Sequence, residues 1–179
     1  MPALTRRQML VAAATLALAG GSTVAVAAAS GAFTGRSCAT PRLTGTVVSV
    51  TEIDMGHMST AMMGGQSGMM RLLTRPATLH AGTVSFLVRN TGSRTHELVV
   101  LPLPAGTPVG GRLVSADGRV DETGSLGEAS RTCGAGAAAG IKKGTTGWAT
   151  LHLVAGRYEL VCNLKNHYAS GMFAALDVS

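Results

Sequence analysis

The stretch Gly156-Arg-Tyr-Glu-Leu-Val-Cys162-Asn-Leu-Lys-Asn-His167-Tyr-Ala-Ser-Gly-Met172-Phe-Ala-Ala-Leu-Asp-Val178 decides the fold. Tyr158, Leu160 and Cys162 share one face of an alternating run, which predicts a strand that carries Cys162 into a core at its end. A polar loop containing Gly171 follows, and Met172 opens a second apolar run. Antiparallel pairing of the two runs brings Cys162 and Met172 together, with His167 on the loop between them. A thiolate, an imidazole and a thioether then converge on one point.

A fourth donor lies upstream, in Phe86-Leu-Val-Arg-Asn90-Thr-Gly-Ser-Arg-Thr-His96-Glu-Leu-Val-Val-Leu101. A strand ends at Asn90, a Thr-Gly-Ser turn follows, and His96 begins the next strand with Leu98 and Val100 on its own face. Taken singly, a histidine at a strand's mouth is usually structural, and a lone cysteine is usually a small buried hydrophobe. Two imidazoles, one thiolate and one thioether together make the trigonal His₂Cys set with a weak axial Met that marks electron-transfer copper. The two segments resemble the cupredoxins, or blue copper proteins, through Asn90-Thr-Gly92…His96-Glu-Leu98 and through Cys162, His167 and Met172 with four residues in each gap. That spacing is most similar to the rusticyanin and sulfocyanin branch, and the resemblance runs from about residue 43 to residue 179.

The resemblance implies an all-β, Greek-key antiparallel β-sandwich holding one type 1 copper. His96 and His167 would be the equatorial imidazoles, Cys162 the thiolate and Met172 the long axial ligand. It also places His167 near the surface, in an apolar patch through which electrons enter and leave; Leu164, Met172 and Phe173 are its candidates, with Lys165 a polar intrusion. Asn90 or Asn163 would tighten the ligand loops by hydrogen bonding, and Asn163 is the better choice because it adjoins Cys162.

At the other end, Thr5-Arg6-Arg7-Gln8-Met9-Leu10 precedes an uncharged, Ala-rich run and resembles a twin-arginine export signal. Residues 1–29 read in two ways. As a signal peptide they offer small-residue cleavage sites at Ala25-Val-Ala27 and Ala27-Ala-Ala29. As a membrane anchor they use an uncharged run, Gln8 to Thr34, that exceeds the ~18 residues able to span a bilayer. Either reading puts the domain outside the cytoplasm, whether secreted, periplasmic or held at the cell surface. Residues 30–42 form a linker, and residues 43–179 are enough for one sandwich-sized domain.

The chain has three cysteines. With Cys162 assigned to copper by the resemblance, Cys38 and Cys133 are left either as free thiols or as a disulfide, which an exported chain favours and which would be worth up to about 4–5 kcal/mol.

Fifteen basic residues stand against nine acidic ones; without Arg6 and Arg7 the balance is thirteen to nine, a net +4. These charges form no stripe and aromatic residues are few, which argues against nucleic acid. A modest positive field suits acidic redox partners, and a monomer is expected.

Six of the nine methionines fall in Asp54-Met55-Gly-His57-Met58-Ser-Thr-Ala-Met62-Met63-Gly-Gly-Gln-Ser-Gly-Met69-Met70. Thioethers suit Cu(I), so Met55, His57, Met58, Met62, Met63, Met69 and Met70 are candidates for a second copper site. The alternatives are that these side chains fill irregular gaps at one end of the sandwich, or that they cap the copper end against water.

The remaining text predicts six or seven strands. Leu43 to Ile53 is the first, and Val84, Phe86 and Val88 alternate toward the core after a turn at Ala81-Gly82, leaving His80 solvated. In Gly147 to Val154, Ala149, Leu151 and Leu153 face inward while Trp148, Thr150 and His152 face out. Residues 102–145 read as a turn-rich excursion with a short helix near Leu126 to Thr132, better suited to partner contacts than to core. The leading expectation is a one-electron carrier without a substrate. Its rival is a copper-handling protein that uses the Met-rich segment. Copper enzyme chemistry is not expected, because paired His-x-His motifs are absent and His57, His80 and His152 are dispersed.

Overall fold

Val48, Val50, Glu52 and Asp54 alternate as buried positions along the first strand, and this inward face sets the architecture. The computed structural model describes residues 38–54 and 70–179. Its strands are β1 (Thr46–Asp54), β2 (Met70–Arg75), β3 (Thr78–Leu79), β4 (Gly82–Asn90), β5 (Leu98–Pro102), β6 (Gly127–Arg131), β7 (Gly136–Gly140), β8 (Thr146–Leu153), β9 (Gly156–Val161) and β10 (Phe173–Val178). A single 3₁₀ turn, Tyr168–Ser170, interrupts the last loop. One sheet has the order β2-β1-β4-β8 and the other β3-β10-β9-β5-β6-β7.

The sheets enclose a core in which Val48, Val50, Val84, Phe86 and Val88 meet Leu98, Val100, Leu160, Cys162, Met172 and Leu176. Each large apolar side chain buried there contributes roughly 1.5–3 kcal/mol. Val99, Leu101 and Val161 point the other way and form a second cluster with Val120 and Tyr168, so both faces of the six-stranded sheet are covered. Val120 belongs to the 103–126 excursion between β5 and β6, which therefore packs on the fold instead of standing off it.

The all-β sandwich agrees with the expectation from sequence, but it is not purely antiparallel. β1 pairs with β4, β10 with β3, and β6 with β7 in parallel. The pairs β1–β4 and β3–β10 are crossovers between strands distant in sequence, of which local alternation carries no trace, whereas β6 and β7 are consecutive strands with a register shift between them. The short helix expected near Leu126 to Thr132 is a strand instead. β6 pairs with β5 in the register Leu98↔Ala129, and β7 completes the edge. Its residues have weak preferences of their own, so the open edge of β5 decides their conformation. The strand expected to begin at His96 starts at Leu98, with His96 in an isolated bridge to Ile141. The export or anchor segment and most of the Met-rich segment lie outside the described residues. Among the described residues no helix is long and apolar enough to cross a membrane.

Candidate metal centre

The hairpin of β9 and β10 closes where the Cys162 N–H donates to the Met172 carbonyl at 3.0 Å. The loop folds back on itself within this closure. His167 N donates to Leu164 O at 2.9 Å, Met172 N donates to His167 O at 3.2 Å, and Gly171 takes the left-handed conformation that ends the 3₁₀ turn. These bonds turn His167 inward over Cys162.

His96 arrives from the other side. Asn90 holds the preceding turn through Nδ2, which donates to Arg94 O and to Ile141 O at 2.7 Å each, and through Oδ1, which accepts from Gly92 N. The bridge between His96 and Ile141 then fixes the backbone at His96 itself.

Three donor atoms meet. His167 Nδ1 lies 3.2 Å from Cys162 Sγ and 3.2 Å from His96 Nδ1, and His96 Nδ1 is 3.9 Å from the sulfur. All three fall within 4.8 Å of one another. His96, Cys162 and Met172 are fully buried, and His167 keeps 8% of its surface exposed. Met172 belongs to the same core cluster as Cys162 and is joined to it by the backbone bond that closes the hairpin.

The far nitrogen of His96 is held by Asp54. Nε2 lies 2.7 Å from Asp54 Oδ2, and the carboxylate also accepts from Ser93 N, Ser93 Oγ and Arg94 N. Gly92 sits so close that a Cβ there would overlap the Asp54 carboxylate, and this explains a glycine in the turn. Burial alone would raise the Asp54 carboxyl, but the hydrogen bonds from Ser93, Arg94 and His96 hold it well below the usual carboxylate range. Burial pulls His96 down, against the pull of Asp54. A true ion pair would raise the imidazole, so the contact joins a carboxylate to a neutral ring. That ring carries its proton on Nε2 and presents a bare Nδ1 to the cluster.

His167 is pushed down to about 4, first by burial and then by neighbouring His96. Burial pushes the Cys162 thiol up, partly opposed by the backbone N–H groups of Leu164 and Glu97. The Glu97 N–H lies 3.4 Å from the sulfur. Two neutral imidazoles and one thiol thus aim lone pairs at a single point, an arrangement that a borderline or soft cation satisfies and that suits copper.

The other candidates are distributed as follows. Asn163 anchors the ligand loop outward, with Oδ1 accepting from Val120 N at 2.7 Å and Nδ2 donating to Val120 O and Glu122 Oε1. Leu164 and Phe173 are half-buried and packed on the two clusters, while Lys165 is exposed. His80 and His152 are exposed. Cys38 and Cys133 form a disulfide. Met70 is buried in the core, whereas Met55, His57, Met58, Met62, Met63 and Met69 lie outside the described residues. Asp54 and the Glu97 N–H were not anticipated. The parity that Asp54 shares with Val48 and Val50 was a usable sign that it points inward.

Comparison with known proteins gives three findings. The family profile described as the sulfocyanin (SoxE) domain matches residues 45–179. No curated protein matches the chain. Among solved structures, reduced rusticyanin is similar at 20% identity over 76% of this chain and 81% of its own, with a TM-score of 0.43. Reduced auracyanin from Roseiflexus castenholzii matches at 16% identity over 77% of this chain and 99% of its own, with a TM-score of 0.44. Auracyanin A from Chloroflexus aurantiacus, itself described as a blue copper protein, matches at 15% over 74% and 99%, with a TM-score of 0.43.

Proposed function

This chain belongs to the sulfocyanin (SoxE) domain family of cupredoxins, and from that premise we propose that it is an exported type 1 copper protein that carries single electrons between redox partners. The observation that carries the reading is the meeting of His96 Nδ1, Cys162 Sγ and His167 Nδ1 within 4.8 Å, beside buried Met172. His96, Cys162, His167 and Met172 are arranged as a type 1 copper site. Bound copper supplies the one-electron couple between Cu(II) and Cu(I), and sulfur donors together with imidazoles serve both states.

The protein's own residues prepare and protect this couple. Asp54 fixes the His96 ring so that Nδ1 is available without a proton to lose. Cys162 must surrender its thiol proton when metal binds, and burial favours the protonated thiol in the metal's absence. The full burial of Cys162 and Met172 keeps water from the sulfurs. His167, the donor with an exposed edge, is the assigned point of electron entry and exit. Residues 1–29 act as a twin-arginine export signal or a membrane anchor, the partners are redox proteins that present acidic surfaces, and the domain works as a monomer outside the cytoplasm.

The test is to load the purified chain with Cu(II) and record visible absorption and electron paramagnetic resonance beside the Cys162→Ser variant. An intense thiolate-to-copper band and a narrow parallel hyperfine splitting, both lost in the variant, are expected. A pale spectrum indifferent to the substitution would overturn the reading, and tight Cu(I) binding that survives in the variant would shift the function to copper handling by the Met-rich segment.

A further inference from the structure

Glu159 is fully buried on β9, yet it faces away from the copper cluster. Its position alternates with Leu160, whose side is the main core, so its carboxylate lies against the outer face of the six-stranded sheet, where Val161 and Tyr168 pack. Three donors converge on it: Arg112 Nε at 2.5 Å, Gly110 N at 2.6 Å and the Tyr168 hydroxyl at 3.1 Å. The same Tyr168 oxygen accepts from Arg112 N at 3.0 Å, and Arg112 Nη2 donates to Pro102 O. A buried ion pair of this kind adds little net stability over an apolar filling, so its best-attested use is to select one arrangement among several.

The arrangement it selects includes the ligand loop. Tyr168 directly follows His167 and its ring packs on Phe173 with centroids 5.1 Å apart. The excursion takes hold of the loop at two further points. Val120 and Glu122 bind the Asn163 side chain, and Arg119 Nη1 donates to the Asn163 carbonyl at 3.1 Å. Asn166 N donates to Gly118 O at 2.8 Å. Gly118 is in the left-handed conformation and approaches so closely that a Cβ would overlap the Asn166 amide. Loop positions 163, 166 and 168 are thus each bound by the excursion, while the His167 backbone bonds only within its own loop.

We propose that the 103–126 excursion is a brace that sets the ligand loop from outside the sandwich, and that Glu159 is a positioning residue acting through Tyr168 on His167. The proposal rests on the copper reading above. It gives the excursion a role other than partner contact: it keeps the His167 imidazole in one orientation while the copper changes charge.

The experiment uses the copper-loaded chain and three variants, Glu159→Gln, Tyr168→Phe and, as a control of stability alone, Val84→Ala in the core of the opposite sheet. Thermal unfolding, the parallel hyperfine splitting, the reduction potential and copper affinity by chelator competition are compared. Glu159→Gln should keep the copper but change the hyperfine splitting, shift the potential and weaken affinity about tenfold. Tyr168→Phe, which keeps the ring and removes only the hydroxyl, should move the same quantities in the same direction by less; it decides the matter if Glu159→Gln does not fold. Val84→Ala should lower the unfolding temperature and leave the spectrum and potential unchanged. If Glu159→Gln and Tyr168→Phe behave like Val84→Ala, the brace is only packing and the proposal is overturned while the copper reading stands. A parent chain without the blue signal overturns both.

Discussion

The two imidazoles of the centre are held in opposite ways. His96 is fully buried and gripped through its own far nitrogen by Asp54, a residue of the opposite sheet, while its backbone is bridged to Ile141. His167 keeps 8% of its surface exposed, and among the described residues the hydrogen-bonding contacts of its ring are those to His96 and Cys162. Its orientation is supplied by neighbours, Asn163 and Tyr168, which are themselves tied to the excursion. One side is therefore fixed from within the core, and the other is fixed from outside by a strap.

The sharpest way to break the comparison is the disulfide, which acts on the His96 side alone. Cys133 N donates to Thr146 O at the start of β8, and Thr132 Oγ1 accepts from Lys142 N next to Ile141, so the bond anchors the segment that bridges His96. Replacing Cys38 and Cys133 by serine together should lower the unfolding free energy by about 4–5 kcal/mol, the chain-entropy value for a long closed loop. Denaturant titration measures it, and the visible band should survive because the ligand loop is held elsewhere. Next in size is Asp54→Ala, which strips the His96 Nε2 and the Ser93 and Arg94 N–H groups of their acceptor at once. It should cost about 3 kcal/mol or more and weaken copper binding by about 10–100-fold in chelator competition. Asn163→Ala should cost about 1–3 kcal/mol and weaken copper by less than Asp54→Ala does. A larger loss of copper affinity from Asn163→Ala would reverse the assignment of the fixed and strapped sides.

How much of this was legible depended on sequence distance. Cys162, His167 and Met172 lie in one stretch, and a single hairpin brings them together, so alternation was enough to place three of the four donors. His96 was legible because a turn and an apolar alternation flank it. Asp54 shares the inward parity of Val48 and Val50, but its role was not legible, because an acidic residue at the end of a strand reads as solvated until the partner across the sandwich is known. Glu52 carries the same lesson: it is fully buried at an inward position, and burial, then neighbouring Glu97, raises its carboxyl well above the usual range. The 127–140 region failed for another reason. Its Ala, Gly and Ser residues prefer nothing strongly; pairing with β5, distant in sequence, settles β6 as a strand, and β7 pairs on β6 in turn. The hold of the excursion on residues 163, 166 and 168 was equally hidden, since Arg112, Gly118 and Val120 carry no local mark of what they touch.

The smallest effect separates the two imidazoles by proton linkage in the metal-free chain. His167 is depressed from 6.5 to about 4, so folded protein holds it neutral over a range in which the unfolded chain takes up a proton. The unfolded state binds more protons at this site, so the His167 contribution to stability falls as pH drops from about 6.5 toward about 4, while the raised carboxyls of Glu52 and Glu97 act in the opposite sense over that range. His96 shifts in the same direction, but Asp54 opposes the effect of burial, so its share of the slope should be smaller. The Cys162 thiol works at the other end: raised by burial, it keeps its proton when folded, and stability is lost as pH climbs past its ordinary value of 9.0. Unfolding temperature against pH for the metal-free chain, His167→Gln and Cys162→Ser checks all three. Relative to the parent, His167→Gln should lose less stability toward acid pH and Cys162→Ser less toward alkaline pH. An acid limb unchanged in His167→Gln would mean that His96, despite its carboxylate, is the ring that resists protonation, and the contrast between the two histidines would then lie in exposure alone.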